Sequence, residues 1–493
     1  MDYVIAIPSH KRATILKDRT LKLLESLGIP HNRIYVFVSQ SNLKDYRETL
    51  PDSIKIIRSV EGVECNRMFI SNYFNKKQKI ISIDDDVEAI YKLNGSKLLE
   101  LDNIDDLIQN TFNELETNGL AMAGIYPTKN PFYMKDTQTT DLRFCIGQLR
   151  FFINDRFCET RKFRMLEDYE TTIKYYLKYK GILRLNNISV KANYLTLAGG
   201  MADNTDRSLE AKKEEVDRFI KKYQHYCWLK ATDKRYDIQL NNKHKPMRVQ
   251  TLWIGDELNE LAELSIKSWL DLGYHVDLYT DCWKEDNVLQ DTRIKQIDAR
   301  EIWNFDDTGE ILPFSDLWRF KLLYQKGGVW LDADMVLLDQ LPYDKILISS
   351  EYTMKSGAFK SKLPYVCNIG ALRFSRHDKI LKRIIKKIED KTKGATFCDN
   401  MFIFRRVIKN CDYSQYVKDP SMFCGINWWD AKEMYYNEEY KMKYSVEPLS
   451  NKVILQHSIG THLWNNFTYN KHCIDFAKIN KNSLFNHLKE LFS

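Results

Sequence analysis

The chain has ten cysteines but no Cys-x-x-Cys pair; they are scattered singly from Cys65 to Cys473. Without paired spacing, neither a zinc site nor a disulfide framework is expected, and lone thiols suit a reducing compartment. The sequence also lacks an apolar run of about 20 residues, the length a helix needs to cross a bilayer. Its opening, MDYVIAIPSH, has no basic stretch leading into a long apolar one, so no signal peptide is expected. Low-complexity segments and an extended basic arm are missing too. These absences predict a cytoplasmic protein. The net charge of +7 is spread over 493 residues. Small anionic substrates fit that balance, and nucleic acid is the less favoured partner.

What is present reads as a folded chain, 44% hydrophobic and 29% charged. Its length exceeds one ordinary core, so two domains are expected. In the first half YVIAIPSH, RIYVFVSQ, IKIIRSV and QKIISIDDDV read as strands. RATILKDRTLKLLESLG and IDDLIQNTFNELETNG have helical spacing. Strand and helix alternation predicts a parallel sheet with crossover helices. A charged amphipathic helix, DRSLEAKKEEVDRFIKKYQHYCWLK, and the polar LNNKHKPM follow, placing a boundary near residue 245. A second strand–helix series then starts with RVQTLWIGD, ELNELAELSIKSWLDLG and HVDLYTD. The expected layout is a domain over 1–205, a helical linker over 206–246, a second domain over 247–475 and a C-terminal helix over 476–493. The amphipathic SLFNHLKELFS is expected to pack on a domain.

The stretch YQKGGVWLDADMVLLD puts Asp332 and Asp334 at the end of an apolar run. On an extended chain their side chains share one side. Open α/β sheets bind ligands at the carboxyl ends of their strands. Two hard oxygen ligands there suit Mg²⁺ or Mn²⁺, which would bridge a diphosphate and stabilise it as it leaves. Asp316 and Arg319, three apart on the preceding helix, share a face.

FSDLWRFKLLYQKGGVWLDADM resembles the glycosyltransferases with the sugar-binding Asp-x-Asp region, family 32. These include yeast initiating mannosyltransferases, globotriaosylceramide synthase relatives and, more distantly, the clostridial glucosylating toxins. The shared pattern is Ser-Asp-x-x-Arg, an apolar helix, Gly-Gly, an aromatic and Asp-x-Asp. LWIGDELNELAELSIKSWLDLGYHVDLYTD resembles the family's opening strand and helix, and QHSIGTHLW its late histidine motif. The resemblance spans roughly residues 248 to 467. It implies that Trp253 stacks on the nucleotide base and that Asp316 and Arg319 bind ribose, sugar or phosphate. Asp332 would touch ribose, sugar and metal, Asp334 would ligate the metal, and His457 would be a late metal or diphosphate ligand. Asn368 would reach the transferred sugar. Anomeric configuration would be retained.

The first half repeats the logic. IISIDDDVEAI ends a strand in Asp84, Asp85 and Asp86, and alternation puts Asp84 and Asp86 on one side. Packed carboxylates repel, so they need a cation or solvent. AIPSHKR supplies small polar and basic groups after the first strand, and GVECNRMFISNYF places Asn66 and Arg67 at a helix start, which favours anions. These motifs, with MLEDYETTIKYYLKYKG, resemble inverting GT-A transferases of the family 2 type and the viral and TET-associated glycosyltransferases. The resemblance implies donor binding by Pro8, Ser9, Arg12, Asn66, Arg67 and Asp84, and a metal on Asp84 and Asp86. Asp168 would be the general base, with Glu167 as runner-up.

The expected architecture is therefore α/β: two GT-A, Rossmann-like domains in tandem, joined by a helical linker. The expected activity is a bifunctional glycosyltransferase, the first domain inverting and the second retaining, with one Mn²⁺ or Mg²⁺ per domain. Donors would be nucleotide sugars, uridine diphosphate sugars favoured over guanosine diphosphate sugars, and the acceptor a glycan. Two alternatives stand beside it. The first domain is an acceptor-binding module only, or the acceptor is a hydroxymethylated DNA base.

Overall fold

A computed structural model describes residues 2–192, 208–232, 235–243, 246–281, 290–304, 311–355, 362–391, 397–438, 458–465, 468 and 474–492. The chain divides into two compact units, Met1–Lys245 and Pro246–Lys443 with Leu449–Ser493. Both are α/β with parallel-rich sheets.

In unit 1 the apolar runs become β1 (Val4–Pro8), β2 (Ile34–Ser39), β3 (Lys55–Ser59), β4 (Lys79–Ile83) and β5 (Val87–Asn94). β6 (Lys97–Glu100), β7 (Met122–Ile125), β8 (Gln138–Thr139), β9 (Leu149–Ile153), β10 (Leu183–Leu185) and β11 (Ile188–Ala192) follow. The main sheet has the order β3-β2-β1-β4-β9-β7-β10-β8, and a small sheet has the order β11-β5-β6. β1 pairs in parallel with β2 on one side and β4 on the other. The strand order thus reverses between β1 and β4, the position where an open sheet leaves a crevice at its carboxyl edge. β9 runs antiparallel to β4, so its amino end lies at the same edge as Asp84.

The segment expected to be a linker is part of unit 1. The helix Leu209–Tyr223 buries Val216, Phe219 and Tyr223 against Phe163, Leu166, Ile173 and Leu177. The hairpin β12 (Cys227–Thr232) with β13 (Arg235–Leu240) adds Cys227, Ile238 and Leu240 to that cluster. Buried carboxylates tie it down. Glu215 accepts from the backbone of Met165 and Leu166, and Glu170 meets Lys222 and Tyr223. The amphipathic pattern read in the sequence is thus the mark of a helix that covers a core.

Unit 2 repeats the plan with β14 (Arg248–Trp253), β15 (His275–Thr280), β16 (Ile294–Asp298), β17 (Gly328–Leu331), β18 (Met335–Leu337), β19 (Leu347–Tyr352), β20 (Tyr365–Phe374) and β21 (Gly460–His462). The main sheet is β16-β15-β14-β17-β20-β19, parallel from β16 to β17, with the reversal between β14 and β17. The helix Ile311–Lys326 enters β17 through Gly327 and Gly328, at φ +68° and +95°. A side chain at Gly327 would also meet the Arg376 backbone at 2.7 Å, so only glycine makes this turn. The C-terminal helix Leu484–Leu491 packs within unit 2, burying Leu484, Phe485 and Leu488, with Phe485 against Tyr435.

The run VWLDADMVLL is not one strand. β17 stops at Leu331, Asp332–Asp334 form a turn, and β18 leaves the main sheet to pair with β21. The turn closes through Met335 N donating to Asp332 O at 2.9 Å. In the same way Asp84–Asp86 form the turn between β4 and β5. In both places the expected period-two alternation is replaced by turn geometry.

Candidate active sites

In unit 2 the turn after β17 presents its two carboxylates to a third ligand. β21 pairs antiparallel with β18, setting His462 opposite Met335. The imidazole Nε2 then lies 3.1 Å from Asp334 Oδ1 and 3.8 Å from Asp332 Oδ2. Asp332, Asp334 and His462 offer ligand atoms that all lie within 4.8 Å of one another. Two carboxylates and an imidazole are a donor set for Mn²⁺ or a similar divalent cation, so the residues fit the expected metal. His462 stacks on Trp464 with ring centroids 4.0 Å apart, which fixes the imidazole plane.

Both carboxylates are held from behind. Asp332 Oδ1 accepts from Arg319 Nη1 at 2.7 Å and from Trp330 Nε1 at 2.8 Å, leaving Oδ2 towards His462. Asp334 Oδ2 accepts from Asn465 N at 2.6 Å. Burial favours the neutral acid at Asp334, but the His462 charge and these hydrogen bonds outweigh it and hold its pKa below the usual value. Burial disfavours charge on His462 as well, yet Asp334 holds its pKa well above the ordinary imidazole value.

Arg319 also reaches Asp316 Oδ1 at 3.3 Å, and its guanidinium lies over Trp330 at 4.9 Å. Asp316 is 1% exposed. Burial pushes its pKa up to about 7; Arg319 opposes and the Asp332 charge adds. Trp253, half-buried at the carboxyl end of β14, donates from Nε1 to Glu257 O at 2.9 Å. Asn368 on β20 has its Oδ1 taken by Gly370 N at 2.6 Å and its Nδ2 by Glu351 Oε2 at 2.8 Å. Glu351 is held in turn by Arg405 Nη2 at 2.8 Å. A Cβ at Gly370 would lie 2.9 Å from Asn368 Oδ1 and 3.2 Å from Asp332 Oδ2. Only glycine therefore lets the Asn368 and Asp332 side chains close over this backbone position.

Of the residues singled out in the second half, the structure joins Asp316, Arg319 and Asp332 in one ion-pair chain and Asp332 and Asp334 in the metal group. Asn368 reaches this group through Gly370, whose carbonyl accepts from Asp332 N at 2.7 Å. His457 lies outside the described residues. Sequence reasoning passed over His462, two residues before Trp464 in the same QHSIGTHLW motif. The signal was there, in the short strand-like GTH run. Glu351 and Arg405 carried no motif at all.

In unit 1 the acidic turn is answered by arginines. Asp84 pairs with Arg67 Nη2 at 2.8 Å, while Arg12 Nη1 lies 3.1 Å from Asp85 and 3.5 Å from Asp86. Asp84 and Asp86 thus turn to different cations, because the chain bends between them. Burial raises all three carboxyls to about 6. Among the described residues, the cluster of three or more metal-ligating side chains is the unit 2 group, and Asp84 and Asp86 belong to no such cluster. Ser9 donates to Asp85 Oδ2 at 2.5 Å and meets the buried Tyr46 hydroxyl, which accepts from Arg12 N at 3.0 Å. Pro8 ends β1 in the interior, and the next residue, Ser9, donates its N–H to Phe37 O at 3.1 Å.

Asn66 and Arg67 are not a free anion site. Asn66 accepts from Ser59 and donates to Phe37 O at 3.0 Å, tying β2 and β3 to the helix Val63–Tyr73. Arg67, 4% exposed, bridges Asp84 to Glu167 Oε1 at 3.1 Å. Glu167 also meets Arg161 at 2.7 Å. Burial would raise Glu167, but Arg67 and Arg161 hold it far below the usual range. Asp168, next along the helix Glu167–Tyr179, accepts from Gly147 N at 2.9 Å. Burial first and the Glu167 charge second push it well above the usual range. The adjacent acids are driven apart, one fixed as a carboxylate and one poised to hold a proton.

Residues 207–353 match the family model described as "glycosyltransferase sugar-binding region containing DXD motif". The chain thus carries a glycosyltransferase sugar-binding region, and Asp332–Asp334 lie inside it. No curated protein sequence matches the chain. Among solved structures, the PaToxG glycosyltransferase is similar at 15% identity, over 35% of this chain and 75% of its own, with a TM-score of 0.26. The apo-form glycosyltransferase GlyE of Streptococcus pneumoniae is similar at 13% identity, over 50% of this chain and 63% of its own, with a TM-score of 0.27. The 4-diphosphocytidyl-2C-methyl-D-erythritol synthase of Anaerococcus prevotii is similar at 10% identity, over 37% and 87%, with a TM-score of 0.24. Likenesses of this size bear no weight beyond the resemblance itself.

Proposed function

We propose that unit 2 transfers a sugar from a nucleotide diphosphate donor, uridine diphosphate favoured, in a reaction that needs a divalent cation. The observation that carries this is the group of Asp332, Asp334 and His462 at the carboxyl edge of a sheet whose strand order reverses there. A divalent cation bound there supplies charge neutralisation for the departing diphosphate. The chain's own residues do the rest. Trp253, its ring edge tied to Glu257, offers a face to the base. Arg319 holds Asp332 in one rotamer and adds positive charge beside the phosphates. Asn368, held by Glu351 and Gly370, would hydrogen-bond the sugar. The pattern of resemblance favours retention of anomeric configuration.

Unit 1 is assigned a second transfer onto the same glycan, with inversion. What supports it is the repeated strand reversal beside β1 and the place of Asp168 at the start of its helix, where it accepts from Gly147 N next to the acidic turn. Two tethered sites raise the local concentration of the first product for the second.

The test is nucleotide release from a panel of nucleotide sugars with Mn²⁺. Wild type is compared with Asp332→Ala/Asp334→Ala and with Asp84→Ala/Asp86→Ala. Two donors cleaved, each lost in one double variant, supports two transferases. Loss of all cleavage in the unit 2 variant with none in the other makes unit 1 an acceptor-binding module.

A further inference from the structure

The helix Lys379–Glu389 turns Ile380, Leu381, Ile384 and Ile388 into the core of unit 2. Its outer face is exposed at Lys379, Lys382, Arg383, Lys386 and Lys387. None of these five has a carboxylate partner among the described residues; Arg383 contacts only the Cys411 thiol, at 3.1 Å. Elsewhere on unit 2 some exposed lysines pair, Lys478 with Asp475 and Lys489 with Glu260, and others such as Lys409 and Lys432 have no carboxylate partner among the described residues; what sets this helix apart is that five such cations share one face.

The arrangement works against the helix that carries it. Lys379 and Arg383, Lys382 and Lys386, and Arg383 and Lys387 are like charges four residues apart, and each such pair destabilises a helix. Lys379 sits in the first turn, where the helix dipole disfavours a cation, whereas Lys386 and Lys387 in the last turn are favoured by it. A face that only needed to be solvated is better served by alternating signs. The partner helix Phe397–Asn410 runs antiparallel beside it, since Arg383 meets Cys411 and Asp378 meets Tyr413. That helix exposes Phe402 to 67% and, one turn on, the cation Arg406.

We propose that this cationic face docks unit 2 onto a membrane surface rich in anionic lipid. A row of unpaired lysines on an amphipathic helix matches the phosphate and carboxylate layer of such a surface. An apolar ring projecting from the neighbouring helix suits the headgroup boundary better than a nucleic-acid groove. The face carries none of the candidate site residues. No described helix is long and apolar enough to cross a membrane, so attachment is peripheral.

The test is co-sedimentation of the full chain with phosphatidylcholine vesicles, alone and with about a third phosphatidylserine, beside duplex DNA as competitor. Binding is expected only to the anionic vesicles and is expected to disappear in high salt. Lys382→Gln/Lys386→Gln/Lys387→Gln lowers it about a hundredfold at three charges removed. Lys382→Arg/Lys386→Arg/Lys387→Arg retains it, which separates charge from fold. Equal binding to neutral vesicles, undiminished binding by the glutamine variant, no binding at all, or displacement by duplex DNA overturns the proposal.

Discussion

Asp316→Asn is expected to make the chain more stable while removing a group proposed for the donor site. Asp316 is buried, and its pKa rises from the ordinary 3.8 to about 7, with burial as the main cause. A carboxyl group raised in this way binds its proton more tightly in the folded chain than in the unfolded one. Its contribution to stability is therefore full below about pH 4 and is lost as the pH climbs to about 7. Asparagine has the shape of the neutral acid at every pH. The variant should match wild type near pH 4 and exceed it above pH 7. At about 1.4 kcal/mol per tenfold change in proton affinity, the gap amounts to about 4 kcal/mol. Arg319 keeps Asp332 as a partner at 2.7 Å, so the substitution does not strand a buried charge. The assay is urea denaturation with chelator present, between about pH 4 and about pH 8. The transition followed is the one that Mn²⁺ shifts in a parallel set. A stability gap that ignores pH, or a wild type more stable at the alkaline end, refutes the reasoning. Nucleotide release by the same variant should fall, a trade of activity for stability expected at a site that stores strain.

His462→Ala should weaken Mn²⁺ binding about 10- to 100-fold in calorimetric titration, since it removes one of three ligands and the support of Asp334. His462 is held protonated by Asp334, so Mn²⁺ affinity should rise with pH and binding should release a proton; buffers of different ionisation enthalpy would show a proton-free reaction if this is wrong. Glu351→Gln should lower kcat about tenfold or more with little change in melting temperature, because it weakens the Arg405 pairing and the charge-assisted bond that orients the Asn368 amide. Gly147→Ala should cost about 1–3 kcal/mol, as its Cβ would collide with Asp168 Oδ1 and meet Arg67 Nη2 at 2.9 Å; a melting curve unchanged from wild type would falsify that packing.

Much was legible in the sequence because it is written locally. Apolar runs bounded by turns gave most strands their place, from YVIAIPSH to HVDLYTD, since a buried strand needs only its own side chains to announce itself. The pair Asp316 and Arg319 was readable because helical spacing alone puts them on one face, and the Gly-Gly turn because only glycine accepts its backbone. The acidic turns after β4 and β17 were found, but not their shape. Alternation implied one-sided carboxylates, whereas a bend lets Asp84 and Asp86 turn to different arginines.

What only the tertiary structure decided are the partners. Asp334 meets His462 across 128 residues because β18 leaves the sheet to pair with β21. Glu351 and Arg405 meet across 54 because a helix lies against a hairpin. The charged helix near residue 215 joins unit 1 because its buried Val216, Phe219 and Tyr223 find a complementary apolar patch around Ile173 and Leu177. Local propensity fixes how a segment is shaped and which face is apolar. Which charges end up in one pocket depends on strand register and helix docking, and these are set by the packing of the whole core.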